Sequence, residues 1–125
     1  MTATPASHPF EIREHDADGV HVIAMRGELD LATAPRLAVR IDAARLQGAR
    51  RLLIDLTTAE FCDSTGLRAL IGCRQELVAG GGRMAVAVLD DSAVARMFAL
   101  AGAHELLPVY DGSEAALAAL TPARP

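Results

Sequence analysis

A chain of 125 residues has room for one domain around one hydrophobic core. Half of it is apolar (51%) and only 3% aromatic, so the core is aliphatic and large enough to close without metal or disulfide. A net charge of −4, with arginine the only strong base and no lysine anywhere, speaks against direct nucleic-acid binding, and no apolar run reaches the length of a membrane span.

In chain order, residues 1–9 read as a flexible leader containing Pro5 and Pro9. Phe10 to Glu14 is expected as an edge strand, with Asp16, Asp18 and Gly19 turning the chain into a second strand, Val20 to Arg26. The period then changes. Leu37, Ile41 and Ala44 share one face of a helix from Pro35 to Leu46, with proline suited to the first turn and Gly48 as the stop. Arg51 to Leu56 is almost continuously apolar, as a strand is when helices cover both faces of a parallel sheet. A second helix is predicted over Ser64 to about Ala79, striped by Leu67, Leu70, Ile71, Leu77 and Val78 and ended by Gly80, Gly81 and Gly82.

Met84 to Leu89 reads as another buried strand. Asp90, Asp91 and Ser92 offer caps for a third helix carrying Val94, Met97, Phe98 and Ala101, closed by Gly102. Leu106 to Tyr110 is a candidate last strand. A final helix is placed from near Asp111, where Asp111 and Glu114 have capping-box spacing, to just before Pro122. The expectation is an α/β domain over residues 10–121 with a tail at 122–125. Its single mixed, mostly parallel sheet has four to five strands and about four helices.

Two turns stand out chemically. Phe61-Cys62-Asp63-Ser64-Thr65-Gly66-Leu67 lies between a buried strand and a helix, at the sheet edge where α/β proteins place their sites. Asp63 is the natural N-cap. Gly66 is costly inside a helix, by about 1 kcal/mol against alanine, which makes sense if something approaches the backbone closely. Gly27-Glu28-Leu29-Asp30-Leu31-Ala32-Thr33 leads into the first helix. If the strands at Val20 and Leu52 are neighbours, both acidic turns open on one edge.

Gly-Glu-Leu-Asp-x-x-Thr, a buried strand, then Asp-Ser-Thr-Gly-Leu about thirty residues on resembles the STAS-domain anti-sigma factor antagonist family. The glycine stretch ending in Arg83 and the run Val94 to Gly102 resemble the same family's later elements. The resemblance implies the STAS fold and a regulator rather than an enzyme, with no cofactor. An N-terminus without a signal-like pattern and the lack of a membrane-length apolar run set the expected compartment as the cytoplasm. It implies phosphorylation at Ser64 by a partner that is both anti-sigma factor and serine-protein kinase, with a phosphoserine phosphatase to reverse it. By the same resemblance Asp30, Thr33, Asp63, Ser64, Thr65 and Gly66 contact that partner. Thr65 stands where serine is common and Cys62 where a larger apolar residue is; neither change removes the acceptor hydroxyl.

Other readings fare worse. No Gly-x-Ser-x-Gly elbow surrounds Ser64, and His8, His15, His21 and His104 are not placed by sequence as its base. Leu-Leu-Ile-Asp-Leu around Asp55 looks similar to a receiver phosphoacceptor strand, but that chemistry uses a later lysine and the chain has none. Gly80 to Gly82 follows a helix instead of opening one, so it is a stop and not a phosphate cradle. Cys62 and Cys73 read as small core residues with no metal or disulfide spacing. The remaining alternative is a STAS module with another partner, in a lipid-transport complex or a stress-sensing assembly, without phosphorylation.

Overall fold

The computed structural model describes residues 8–122; the leader's residues 1–7 and the tail's 123–125 lie outside the described residues. The chain enters through an antiparallel hairpin of β1 (Glu11–Ala17) and β2 (Val20–Leu29). Ala17 pairs with Val20, so the turn is only Asp18–Gly19 and the expected turn residue Asp16 belongs to the ladder. Both turn residues have positive φ (52° and 79°), the geometry that matches the twist of paired strands and that Asp-Gly adopts readily.

Elements then alternate: α1 (Ala34–Leu46), β3 (Arg51–Cys62), α2 (Ser64–Ala79), β4 (Arg83–Val88), α3 (Ala93–Ala101), β5 (Val109–Asp111) and α4 (Ser113–Leu120). The sheet order is β1-β2-β3-β4-β5, and every pair after the hairpin is parallel. Strands added in one direction by right-handed crossovers place their connecting helices on one face. There Leu37 and Ile41 of α1, Leu67, Leu70 and Leu77 of α2, and Val94 and Phe98 of α3 pack on Ile23, Leu52, Ile54, Met84 and Val86. The second face has α4 alone, with Ala116 and Leu120 against Val22, Leu53, Ala85 and Ala87. A fully buried side chain of this kind contributes about 1.5–3 kcal/mol, so the three-helix face holds most of the stability.

Several expected boundaries move. β3 runs six residues past Leu56, through a polar stretch that reads as loop, because β3 carries two extra residues relative to β2. Ala24 pairs with Asp55 but Arg26 with Thr58, and Gly27 with Ala59 but Glu28 with Phe61. Such bulges break the ladder locally and need other bonds. Asp55 Oδ1 accepts from the Thr57 N–H (2.8 Å) and the Thr57 hydroxyl (2.6 Å), and the Thr58 hydroxyl donates to the Met25 carbonyl (2.8 Å). Asp55 is therefore the brace of a bulge.

The strand expected over Leu106 to Tyr110 starts three residues later, as β5 at Val109–Asp111, after a 3-10 turn at Ala103–Glu105. The capping box at Asp111 and Glu114 does not form. Gly112 is the N-cap of α4, and the Asp111 carboxylate takes the Asp90 N–H (2.8 Å), tying β5 to the end of β4. Ser92 is the cap of α3, accepting from the Ala95 N–H (3.0 Å). Ala101 is exposed; Gly102, left-handed at φ 68°, bends the chain so that Ala103 is buried in its place. Val78 also faces solvent, one residue and about 100° round the helix from buried Leu77.

Candidate functional site

The bulges in β3 decide where the two acidic turns meet. With them, Leu29 at the end of β2 pairs with Cys62 at the end of β3; an unbulged ladder continuing from Ala24 and Asp55 would set Leu29 against Glu60. The Leu29 carbonyl then accepts the Asp63 N–H (3.0 Å), so Asp30 and Ser64 follow from hydrogen-bonded neighbours at the carboxyl edge.

The first turn is closed by its own side chains. Asp30 Oδ1 accepts from the N–H groups of Ala32 (3.0 Å) and Thr33 (3.1 Å). The Thr33 hydroxyl accepts the Asp30 N–H (2.9 Å) and donates to the Glu28 carbonyl (2.7 Å). The Asp30 carbonyl takes the Ala34 N–H (2.8 Å), which starts α1. Gly27, at φ 92°, is needed because a Cβ there would lie 2.8 Å from the His8 carbonyl oxygen and 3.0 Å from Phe10 Cα. His8 is itself fixed, its N–H donating to Glu60 Oε1 (2.6 Å).

The second turn is open. Asp63 caps α2, its Oδ1 accepting the Gly66 N–H (2.9 Å) while its carbonyl takes the Leu67 N–H (3.0 Å). Ser64 is the first helical residue and is exposed; Thr65 is half-buried and Gly66 buried. No hydrogen bond to the Ser64 hydroxyl forms among the described residues. A Cβ on Gly66 would stand 2.8 Å from Leu29 Cγ, 2.9 Å from the Leu29 carbonyl oxygen and 3.0 Å from Cys62 Sγ. The close approach inferred from this glycine is made by the chain's own β2 end. Ser64, Thr65 and Gly66 thus face outward, partly inward and inward respectively.

Three exposed apolar side chains surround this edge, and the sequence reading did not single them out. Leu31 (74% exposed), Phe61 (43%) and Leu89 (48%) lie at or just past the ends of β2, β3 and β4. Acidic residues flank them in sequence: Asp30 beside Leu31, Glu60 and Asp63 about Phe61, and Asp90 and Asp91 after Leu89. Large apolar residues inside polar turns were the available signal, since a turn has no core to fill.

Neither cysteine offers chemistry. Burial, with the charge of Asp63, pushes the Cys62 thiol up to about 12; burial, with Asp42 and Glu76 nearby, pushes Cys73 to about 11. Both stay protonated thiols in the core, as their sequence setting implied. His8 contacts Glu60, and His21 contacts Glu14 and Asp16, so neither bonds Ser64. Among the described residues no cluster of three or more His, Cys, Asp or Glu is placed to hold a metal ion. No helix among the described residues is long and apolar enough to cross a membrane.

Comparisons with known proteins find the same fold. An anti-sigma factor antagonist from Mycobacterium paratuberculosis is 31% identical, with a TM-score of 0.83 over 94% of this chain and 100% of the other. The anti-sigma F factor antagonist of Paenibacillus polymyxa is 29% identical over 82% of this chain and 87% of its own length. The Bacillus cell fate determinant SpoIIAA in its phosphorylated form is 26% identical, with a TM-score of 0.60 over 85% of this chain and 95% of that one. The family model of the STAS domain matches residues 11–116, and the chain belongs to that family.

Proposed function

Proceeding from that membership, we propose that this protein is an anti-sigma factor antagonist that binds its anti-sigma factor while Ser64 is unmodified and releases it when Ser64 is phosphorylated. The observation that carries the reading is the exposed Ser64 hydroxyl at the mouth of α2, beside a turn whose polar groups are already bonded. The names of the relatives supply the partner class, and the phosphorylated form of one neighbour supplies a precedent for the modification. The partner is an anti-sigma factor that is also a serine-protein kinase. A phosphoserine phosphatase resets the site, and the exchange takes place in the cytoplasm.

The physics is local. Phosphorylation adds about −1.5 to −2 charge at neutral pH. The first N–H groups of a helix have no carbonyl partners and carry the positive end of the dipole, so α2 tolerates the phosphate without unfolding. The cost falls on the complex. Asp30 and Asp63 already make this edge acidic, and a like-charge pair at about 8 Å and an effective dielectric near 20 costs about 2 kcal/mol before screening. Each 1.4 kcal/mol is about tenfold in affinity, so a doubly charged group reverses binding where a neutral hydroxyl permits it. Leu31, Phe61 and Leu89 supply the apolar contact, and Asp30, Thr33, Asp63 and Thr65 the polar border. Gly66 acts from beneath by letting α2 sit against Leu29.

The test has two arms. Incubation with the cognate kinase and ATP, followed by mass spectrometry, should place a single phosphate on the Ser64 peptide. In binding titrations Ser64→Ala should hold the anti-sigma factor as the unmodified protein does, while Ser64→Asp should lose about 100-fold. Equal binding by both variants rejects the switch.

A further inference from the structure

At the opposite end of β2 from the site, His21 is held between two carboxylates of the neighbouring strand. Its Nε2 lies 2.8 Å from Glu14 Oε1 and its Nδ1 lies 2.7 Å from Asp16 Oδ1. Neutral imidazole has one N–H and one lone pair, so it can satisfy only one of these acceptors and must turn its lone pair on the other. Both contacts are attractive only when both ring nitrogens carry protons. The second oxygen of Glu14 accepts from Arg40 of α1, so the chain of contacts runs from α1 through β1 to β2. His21 and Glu14 are about four-fifths buried, at 22% and 19% side-chain exposure, so solvent screens their pairing only partly.

We propose that His21 is an imidazolium latch that fastens the edge strand β1 to the body of the domain and opens as pH rises, an element of regulation separate from Ser64. β1 is the outermost strand and has a ladder on one side only. Ile12 is the only β1 side chain packed against the three-helix core. The polar cluster thus adds a side-chain tie to an edge otherwise held by its seven-pair ladder with β2 and few apolar contacts.

The charged groups facing the ring come from every adjacent element. Glu14 and Asp16 of β1 favour the proton, and Arg40 of α1 engages Glu14 from the other side. Arg50 and Arg51 line an open cavity of about 430 Å³ with Asp16 and His21 and make no hydrogen bond to the ring. Burial pulls the His21 pKa down, yet the bonds to Glu14 and Asp16 outweigh it, and the net shift is upward from 6.5. Burial likewise pushes Glu14 up, but Arg40 and His21 bring it below 4.5. The His21 contribution is complete below 6.5 and lost as pH climbs through its raised folded value. The Glu14 contribution is complete above 4.5 and lost as pH falls through its lowered folded value. The latch is strongest between the two.

The experiment is an NMR titration of the histidine ring protons in the full chain. It is paired with amide exchange of β1, corrected for intrinsic rates, across the same pH range. His21 should titrate above 6.5, and β1 protection should fall several-fold as it does so. His21→Gln should show the weaker protection at every pH, with the step gone, whereas His15→Gln, on the face of β1 away from Glu14 and Asp16, should keep the step. Titration of His21 at or below 6.5 overturns the proposal, as does an unchanged step in His21→Gln. If that variant does not fold, the wild-type titration and its coincidence with β1 exchange decide alone.

Discussion

At the end of β2, an aspartate and a threonine turn their side chains back onto their own backbone; at the end of β3, an aspartate does the same but the serine beside it points away. The side chains of Asp30 and Thr33 bond the N–H groups of Asp30, Ala32 and Thr33 and the Glu28 carbonyl, all within residues 28–33. Asp63 makes its capping bond to Gly66, and Ser64 is left exposed without an internal partner. The two turns sit a hydrogen bond apart and share residue types, yet one closes on itself and the other presents an exposed hydroxyl. Position in the helix start decides which. Thr33 precedes α1 and can reach back to the carbonyl of Glu28, whereas Ser64 is already inside α2, where its side chain projects outward.

If that contrast is right, substitutions at the two turns should separate binding from stability. The largest effect is on binding, the 100-fold loss expected for Ser64→Asp, equivalent to about 2.7 kcal/mol. Next is Gly66→Ala. Its added methyl meets the Leu29 carbonyl, a backbone atom that cannot swing aside, and overpacking of this kind costs about 1–3 kcal/mol. A melting point at or above wild type would show that α2 can withdraw from β2. Thr33→Val leaves the Asp30 N–H and the Glu28 carbonyl without their partner, at about 1–2 kcal/mol in chemical denaturation. Equal stability would mean that the first turn is as replaceable as the second. The smallest effect is on folding in Ser64→Ala, within about 0.5 kcal/mol of wild type, because an exposed and unbonded hydroxyl supports nothing. A larger loss would make Ser64 part of the scaffold too.

The same contrast explains which features could be read from the chain alone. The α/β alternation, the helix stops at Gly48 and Gly80, the cap at Asp63, Ser92 as one of three cap candidates for α3, and the buried aliphatic runs follow from local rules of period and capping, and the structure has them all. Thr57 to Glu60 did not read as strand, since alternation is lost wherever a bulge inserts a residue. Asp111 read as a cap because its spacing to Glu114 suits one, but the nearby Asp90 N–H competes for the same carboxylate. Gly66 pointed to a close approach without saying by what. Leu31, Phe61 and Leu89 left only the hint of large apolar residues set in polar turns, because exposure itself is a property of the packed molecule.

Sequence by itself determined the class of fold, the STAS pattern and the identity of the hydroxyl at the start of α2, all of which depend on residues close together in the chain. Only the tertiary structure decided that the two acidic turns share an edge, that Gly66 is covered by Leu29, and that His21 is gripped from both sides. Each of these rests on contacts between separate elements, and the strand register that brings them together is fixed by bulges and side-chain braces that no local period encodes.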